Sequence, residues 1–285
     1  MRSSFYFYAN PYQQRGADAA LALAEAVRER GGQVFTESWL AEKGVGAVCA
    51  IADMPDDVRA LIAFGGDGTL LHTVQETLNR DLPLLGVHTG TVGFLMNGQA
   101  DDPQGTAEKL VSGAYSIRQY PLLRVRFDGK AYFALNDLSL TRGEHPGVIE
   151  VQALADGEEV FLAHGDGAVV STPLGATAYG LSAGGPVIRP DAACLLLVPL
   201  CARELLLRPV ILPLGTEVTL LAHGRDRRRL QLAIDGQILL PVTQEARISV
   251  GLADKQVKLI QFEKNSFFDT LRKKQAVWNQ QDERE

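Results

Sequence analysis

Ala60-Leu61-Ile62-Ala63-Phe64-Gly65-Gly66-Asp67-Gly68-Thr69-Leu70-Leu71-His72 reads as an apolar run, a glycine-rich turn and the start of a helix. Unbroken apolar residues suit a strand covered on both faces, as in a parallel sheet. The flanking sequence repeats the rhythm. Residues 4–9 form a short aromatic run broken by Asn10-Pro11, and residues 16–30 place Ala19, Ala20, Leu23, Ala24 and Val27 at helical spacing. Gly31-Gly32 stops that helix, because glycine accepts the left-handed conformation at a C-terminus. Residues 83–87 form a third apolar run, ended by Thr89-Gly90. Strand, turn, helix, strand predicts an α/β domain with a parallel sheet and crossover helices.

From about residue 115 the texture changes to short β-rich segments, at 122–127, 130–135, 148–154, 217–222, 230–234 and 247–252. Alternation, as in Arg247-Ile248-Ser249-Val250, predicts half-buried antiparallel strands. Asp128-Gly129, Asp156-Gly157 and Asp235-Gly236 supply the hairpin turns. Residues 265–278 read as a further helix, with Phe267, Phe268, Leu271 and Ala276 loosely on one side, and residues 279–285 as a polar, frayed tail. No repeat or low-complexity linker divides the chain. The fold class expected is α/β plus all-β.

Composition narrows the function. The 285 residues are 46% hydrophobic and 22% charged, which excludes disorder for most of the length. The longest apolar run, near residues 192–200, is about half the roughly 18–20 residues that cross a bilayer. A net charge of −6 argues against broad binding to nucleic acid or to an anionic membrane. The first ten residues carry one basic residue and too short an apolar core for a secretory signal. Cys49, Cys194 and Cys201 have no paired or CxxC spacing, so neither a disulfide framework nor a zinc site is expected, and the compartment expected is the cytoplasm.

The turn at 65–69 lies at the carboxyl end of a parallel strand, where open α/β sheets bind ligands. Its glycines admit a phosphate to free backbone N–H groups at a helix N-terminus. It lacks the lysine of a GxxxxGK[ST] loop and the spacing of GxGxxG. Asp67 adds a negative charge where a phosphate would sit. Two readings stand: the aspartate caps the helix, or it works with a divalent cation or as the acceptor of a hydroxyl proton.

A second stretch, His164-Gly165-Asp166-Gly167-Ala168-Val169-Val170-Ser171-Thr172-Pro173-Leu174-Gly175-Ala176-Thr177-Ala178-Tyr179-Gly180-Leu181-Ser182-Ala183-Gly184-Gly185-Pro186, resembles the NAD-binding segment of NAD kinases. Further marks of that family follow in order: GGDGT at 65–69, Asn136-Asp137, and Asp235-Gly236-Gln237. Thr89-Gly90-Thr91-Val92-Gly93-Phe94-Leu95 is similar to another family motif, and Phe267-Phe268 through Lys273 to its closing helix. The resemblance spans about residues 65–273. It implies a Rossmann-like domain at 1–115, on which 263–285 packs back, and a β-rich NAD-binding domain at 116–262.

It also implies phosphoryl transfer from ATP or polyphosphate to the 2′-hydroxyl of the adenosine ribose of NAD, giving NADP with Mg²⁺ as the divalent metal. Gly65, Gly66, Gly68, Thr69 and His72 would line the donor-phosphate turn; Asp67 would act as catalytic base, and Asp67 and Gly68 would also contact NAD. Asp137 would grip the ribose and Asn136 the adenine edge; Asp166 and Ala178 would meet the nicotinamide carboxamide, with His164 two positions before Asp166. Thr177 would bond the adenine, with Tyr179, Gly180, Leu181 and Ser182 completing the wall and Gln237 close by. A homodimer or homotetramer is implied. Taken alone, Asn136-Asp137 reads as a strand end, residues 177–182 as a buried helix start, His72 as a surface side chain, His88 as a packing or capping residue, and residues 225–229 as a solvated hairpin tip. Leu174 and Ala176 replace family hydroxyls, His88 an asparagine and Arg203 a histidine. The alternatives are a non-catalytic NAD(P)-binding paralogue and a lipid kinase sharing only the GGDGT turn.

Overall fold

The structure, a computed structural model, describes residues 3–90, 93–144, 147–223, 230–243, 245–262 and 266–282, with side chains in the last helix to Val277. Two compact units divide it: Met1–Gln119 with Val257–Glu285, and Tyr120–Gln256.

The first unit is a parallel sheet with helices. Its strands are β1 (Ser4–Ala9), β2 (Gln33–Thr36), β3 (Ala47–Val48), β4 (Val58–Gly65), β5 (Leu84–His88) and β6 (Met96–Gln99). Its helices are α1 (Gln14–Glu29), α2 (Ser38–Ala41), α3 (Asp67–Thr77) and α4 (Pro103–Ser112). The order is β3-β2-β1-β4-β5, all parallel, with β6 paired to β5. The order reverses between β1 and β4, which makes their carboxyl ends the switch point of a doubly wound sheet. The turn 65–66 follows β4 directly and sits there. Helix α1 buries Gly16, Ala17, Ala20, Leu23, Ala24 and Val27 against Phe5, Phe7, Ile62 and Phe64 of the sheet. Gly31, at φ 76, ends it: Gly31 N–H donates to Arg28 O at 2.9 Å and Gly32 N–H to Val27 O at 2.9 Å, a Schellman closure.

The second unit is antiparallel. It contains β8 (Lys130–Ala134), β9 (Asp137–Thr141), β10 (Ile149–Ala155), β11 (Glu158–Gly165), β12 (Gly167–Ser171), β13 (Cys194–Leu200), β14 (Val210–Pro213), β15 (Val218–His223), β16 (Leu230–Ile234), β17 (Ile238–Val242) and the short helix α5 (Tyr179–Ser182). Strand β7 (Ser116–Phe127) carries the chain into this unit, and β18 (Arg247–Gln261) carries it out to α6 (Phe267–Asp282) in the first. One sheet runs β14-β13-β12-β9-β16-β17; the other pairs β11, β10, β15 and β18. Alternate residues of both fill one core, among them Leu138, Leu140, Val151, Val170, Leu197, Leu220, Leu232 and Val250. The expected turns at Asp128, Asp156 and Asp235 have φ of 50°, 51° and 51°, each followed by a glycine of positive φ, as type I′ hairpins require.

Two expectations need correction. Strand β18 runs to Gln261, past the expected end at 252, because its last residues join the parallel sheet beside β5, where Leu259 pairs with Leu84. Helix α6 continues to Asp282, so the residues expected to fray from 279 are helical at least that far. The basic run 225–229 and Thr91-Val92 lie outside the described residues.

Candidate functional site

The first unit builds its site at the carboxyl end of β4. Gly66 precedes α3 without any side-chain cap, and Asp67 is the first helical residue, where a negative charge suits the helix dipole. Its carboxylate does not cap its own helix. Oδ2 accepts the Phe94 N–H at 3.1 Å and Oδ1 accepts the Leu95 N–H at 3.1 Å. Lys274, on α6, donates to Oδ2 at 3.1 Å. The capping reading of Asp67 is therefore replaced by a held carboxylate. Around it, Gly66 and Gly68 face open space, so a phosphate can approach the backbone there. Thr69 is buried beneath Gly65, and His72 lies with its ring 5.2 Å from that of Tyr8. His88 ends β5, with its backbone paired to Gly65 and Gln99.

Gly93 is fixed by Asp67. A Cβ at 93 would lie 2.2 Å from Asp67 Oδ1. Gly93→Ala is therefore expected to displace the carboxylate and lower turnover by about tenfold, the scale on which a misplacement of about 1 Å slows catalysis. Steady-state kinetics beside a thermal unfolding curve check this; unchanged turnover would show that the carboxylate's position is unimportant.

The second unit gathers three segments. Residues 135–137 enter β9, residues 172–180 follow β12, and Asp235 sits in the β16–β17 turn. The Asp235 carboxylate accepts the backbone N–H groups of Leu135 at 2.8 Å, Asn136 at 2.7 Å and Asp137 at 3.1 Å, and its own N–H donates to Asp137 O at 2.8 Å. Thr172 Oγ1 donates to Leu135 O at 2.7 Å, and its N–H donates to Asn136 O at 2.8 Å. At Gly175 a Cβ would stand 2.0 Å from Asn136 O, so only glycine permits this approach. The bonds hold Asn136 and Asp137, both buried, in one posture.

Burial, first, and the Asp235 charge, second, push the Asp137 carboxyl up to about 7, against a smaller opposing effect of the Tyr179 N–H bonded to it. Asp235, with three N–H donors, is the member of the pair that keeps the negative charge. The folded chain therefore binds a proton at Asp137 that the unfolded chain has lost between pH near 4 and 7, so this group's contribution to stability declines as pH rises through that window. Asp137→Asn, which mimics the protonated form, is expected to raise the unfolding midpoint by a few degrees at pH 8 and by much less at pH 5. Parallel melts at the two pH values check it; an equal gap at both would place the titration elsewhere.

The other expected residues are distributed around this cluster. Thr177 Oγ1 donates to Leu174 O at 3.0 Å and both residues are buried. Tyr179 is 42% exposed on α5, its phenol pushed up by burial first, then by the charges of Cys201, Asp137 and Asp166. Ala178 precedes α5; Gly180 is buried, Leu181 half-buried, and Ser182 and Gln237 exposed. Asp166 pairs with Arg142 Nε at 2.9 Å. His164 is bound at both ring nitrogens, Nδ1 to Glu204 at 2.7 Å and Nε2 to Glu150 at 2.9 Å. Backbone and side-chain bonds from His164 hold the Glu204 carboxyl down at about 2, against an opposing desolvation. Thus Asn136, Asp137, Thr177 and Tyr179 gather in one place, Asp166 acts on Tyr179 by its charge, and His164 engages two glutamates.

Two residues outside the expected set emerge, Asp235 and Lys274. The sequence marks the first as a hairpin turn and as part of the Asp235-Gly236-Gln237 motif, without a role at the site. The second shares the helical spacing of Phe267 and Leu271 (i, i+4, i+7), a pattern that places it on the helix face without naming a partner.

Among the described residues no group of three or more His, Cys, Asp or Glu side chains could hold a metal ion. Asp67 offers one carboxylate beside the open backbone of Gly66 and Gly68, a donor set that suits a hard divalent cation taking most of its oxygens from water or a ligand rather than from a protein cage. No helix among the described residues is long and apolar enough to cross a membrane.

Comparison with known proteins extends these observations. Residues 16–115 match the family model of the ATP-NAD kinase N-terminal domain, and residues 135–262 that of the ATP-NAD kinase C-terminal domain. The NAD kinase of Sulfurimonas denitrificans is 37% identical over 219 residues, 75% of this chain and 76% of that protein. The NAD kinase of Bacteroides fragilis is 28% identical over 286 residues, 96% and 97% of the two chains. Among solved structures, yeast NADH kinase complexed with NADH has a TM-score of 0.84 at 22% identity, covering 95% of this chain and 86% of that one. An NAD kinase from Archaeoglobus fulgidus in complex with ATP has a TM-score of 0.74 at 23% identity, covering 96% and 99%. At those identities the structural likeness shows the fold.

Proposed function

Because the chain belongs to the NAD kinase family and is a phosphotransferase that converts NAD to NADP, we propose how its own residues divide that work. The 2′-hydroxyl oxygen of NAD forms a bond to the terminal phosphorus of the donor. The bond from that phosphorus to the bridging oxygen breaks, and Asp67 takes the hydroxyl proton. With ATP the products are NADP and ADP. A ribose hydroxyl is a weak nucleophile at neutral pH, so alignment and proton acceptance carry much of the rate.

The single observation behind this assignment is the Asp67 carboxylate, fixed by three donors where Gly66 and Gly68 leave the backbone open. Those glycines and the start of α3 receive the donor's phosphates, with His72 one turn further on. A divalent cation supplies neutralisation of phosphate charge when bound, and Asp67 is the carboxylate that would face it.

Asn136 and Asp137 take the nucleoside of NAD. A carboxylate has two acceptor oxygens to match a ribose diol, and an amide reads a base edge with donor and acceptor together. Tyr179, Gly180, Leu181, Ser182, Ala178, Asp166, His164 and Gln237 complete the NAD-binding surface in this reading. Thr177 gives its hydroxyl proton to Leu174 O, so toward the adenine that hydroxyl acts as an acceptor. The reading includes a cytoplasmic homodimer or homotetramer; Leu205 and Leu206, exposed at 83% and 90%, support a subunit contact, and the three cysteines are free, as a reducing compartment requires.

Purified protein incubated with NAD, Mg²⁺ and either ATP or polyphosphate tests donor and activity together. NADP is expected with at least one donor, and Asp137→Ala is expected to raise the Michaelis constant for NAD more than it lowers turnover. An unchanged NAD dependence would remove Asp137 from the site.

A further inference from the structure

We infer that Lys274, on the closing helix, is a positioning residue for phosphoryl transfer: it occupies Oδ2 of Asp67 and so assigns the proton-accepting role to Oδ1. The inference rests on reading Asp67 as the base.

A carboxylate offers about four acceptor directions on its two oxygens. Oδ2 receives two donors, the Phe94 N–H and the Lys274 ammonium, each at 3.1 Å. Oδ1 receives one, the Leu95 N–H at 3.1 Å. Among the described residues one acceptor direction is therefore left, on Oδ1. Without Lys274 both oxygens would each have a free direction, and a substrate hydroxyl would meet two competing geometries.

Lys274 is itself held. Its ammonium lies 4.2 Å from the centroid of the Phe94 ring, so Phe94 binds Asp67 through its backbone and steadies the lysine through its ring. The Phe94 ring lies 6.0 Å from that of Phe267, which lies 5.2 Å from that of Phe268. These aromatic contacts tie the first turn of α6 to the segment that grips Asp67. The Lys274 and Asp67 side chains are only 18% and 25% exposed, so solvent screens the pair weakly. A lysine 207 residues away in sequence thus reaches the glycine turn, at the Asp67 carboxylate.

A double-mutant cycle on turnover tests this. Lys274→Met keeps the stem and removes the charge. In the wild-type background it is expected to lower kcat by about tenfold while changing the Michaelis constant for NAD less than about twofold, with Lys274→Arg restoring most of the loss. In an Asp67→Asn background the same change is expected to alter kcat by less than about twofold, because a residue acting through Asp67 has nothing left to position. Equal losses in both backgrounds, or no loss in the wild type, would overturn the inference. If Lys274→Met unfolds, Phe94→Leu runs the same cycle, since it frees the ammonium but keeps both backbone donors. Asp67→Asn alone tests the base assignment: full activity there ends that reading, whereas a crippled Asp67→Asn with an additive Lys274 effect ends only this one.

Discussion

Asp67→Asn is expected to leave the fold intact and to lower turnover by about 10²-fold or more, the scale of losing a positioned proton acceptor. Asparagine is nearly isosteric. Its oxygen still accepts one of the backbone N–H groups of Phe94 and Leu95, but its amide nitrogen cannot accept the other, and it holds no charge for Lys274. Some local loosening follows, but α3 keeps its buried residues Leu70, Leu71 and Val74, so the unfolding midpoint moves little. Affinity for NAD is expected to stay within a few fold, because Asn136, Asp137 and the segment after β12 are the residues proposed to make most of its contacts. Turnover under saturating substrates, set beside calorimetric titration with NAD, separates the two effects. Near-normal turnover would make Asp67 a purely structural residue, and the general-base assignment would fall with it.

Asp235→Ala acts on stability first. The substitution leaves three backbone donors, on Leu135, Asn136 and Asp137, without their acceptor in a buried place. Each such orphan costs about 1–3 kcal/mol, partly offset here by removing the charge that pushes Asp137 up. The net expectation is a loss of about 3 kcal/mol and a fall in the unfolding midpoint on the order of 10 °C. Because those donors fix Asn136 and Asp137, the surviving folded protein should also need much more NAD to saturate. Asp235→Asn, which retains one acceptor and tolerates the φ of 51°, should lose less than half as much. Thermal melts and NAD titrations of both variants decide it. If alanine leaves the midpoint and the NAD dependence unchanged, the carboxylate does not hold the 135–137 segment.

The sequence disclosed what local physics controls. The turn after β4, the Gly31-Gly32 stop of α1 and the three Asp-Gly hairpins depend on residues adjacent in the chain, and each stands where the pattern puts it. Strands whose identity comes from their neighbours did not show. β13 is a continuous apolar run that periodicity cannot assign, and β6, Met96-Asn97-Gly98-Gln99, has no strand pattern at all; pairing with β5 makes it one. The site divides in the same way. Residue types pointed to Asp67, Asn136 and Asp137, whereas the partners of Asp67 lie 27, 28 and 207 positions away and those of Asp235 about 100. No spacing rule spans such distances, because the sheet order creates them.

The chain begins and ends in the same unit, with Tyr120–Gln256 placed between its two parts. Synthesis runs from the N-terminus, so the β-rich unit is made before residues 257–285. Until then the α/β unit lacks the tail of β18, with Leu259 and Ile260 in its packing, and lacks Lys274. A nascent or prematurely terminated chain ending near 256 therefore holds the residues assigned to NAD without the completed Asp67 clamp. A chain terminated between residues 257 and 273 is expected to keep the bonds that hold Asn136 and Asp137 while lacking the Lys274 contact to Asp67, so the segment made last bears on turnover rather than on the residues proposed for NAD.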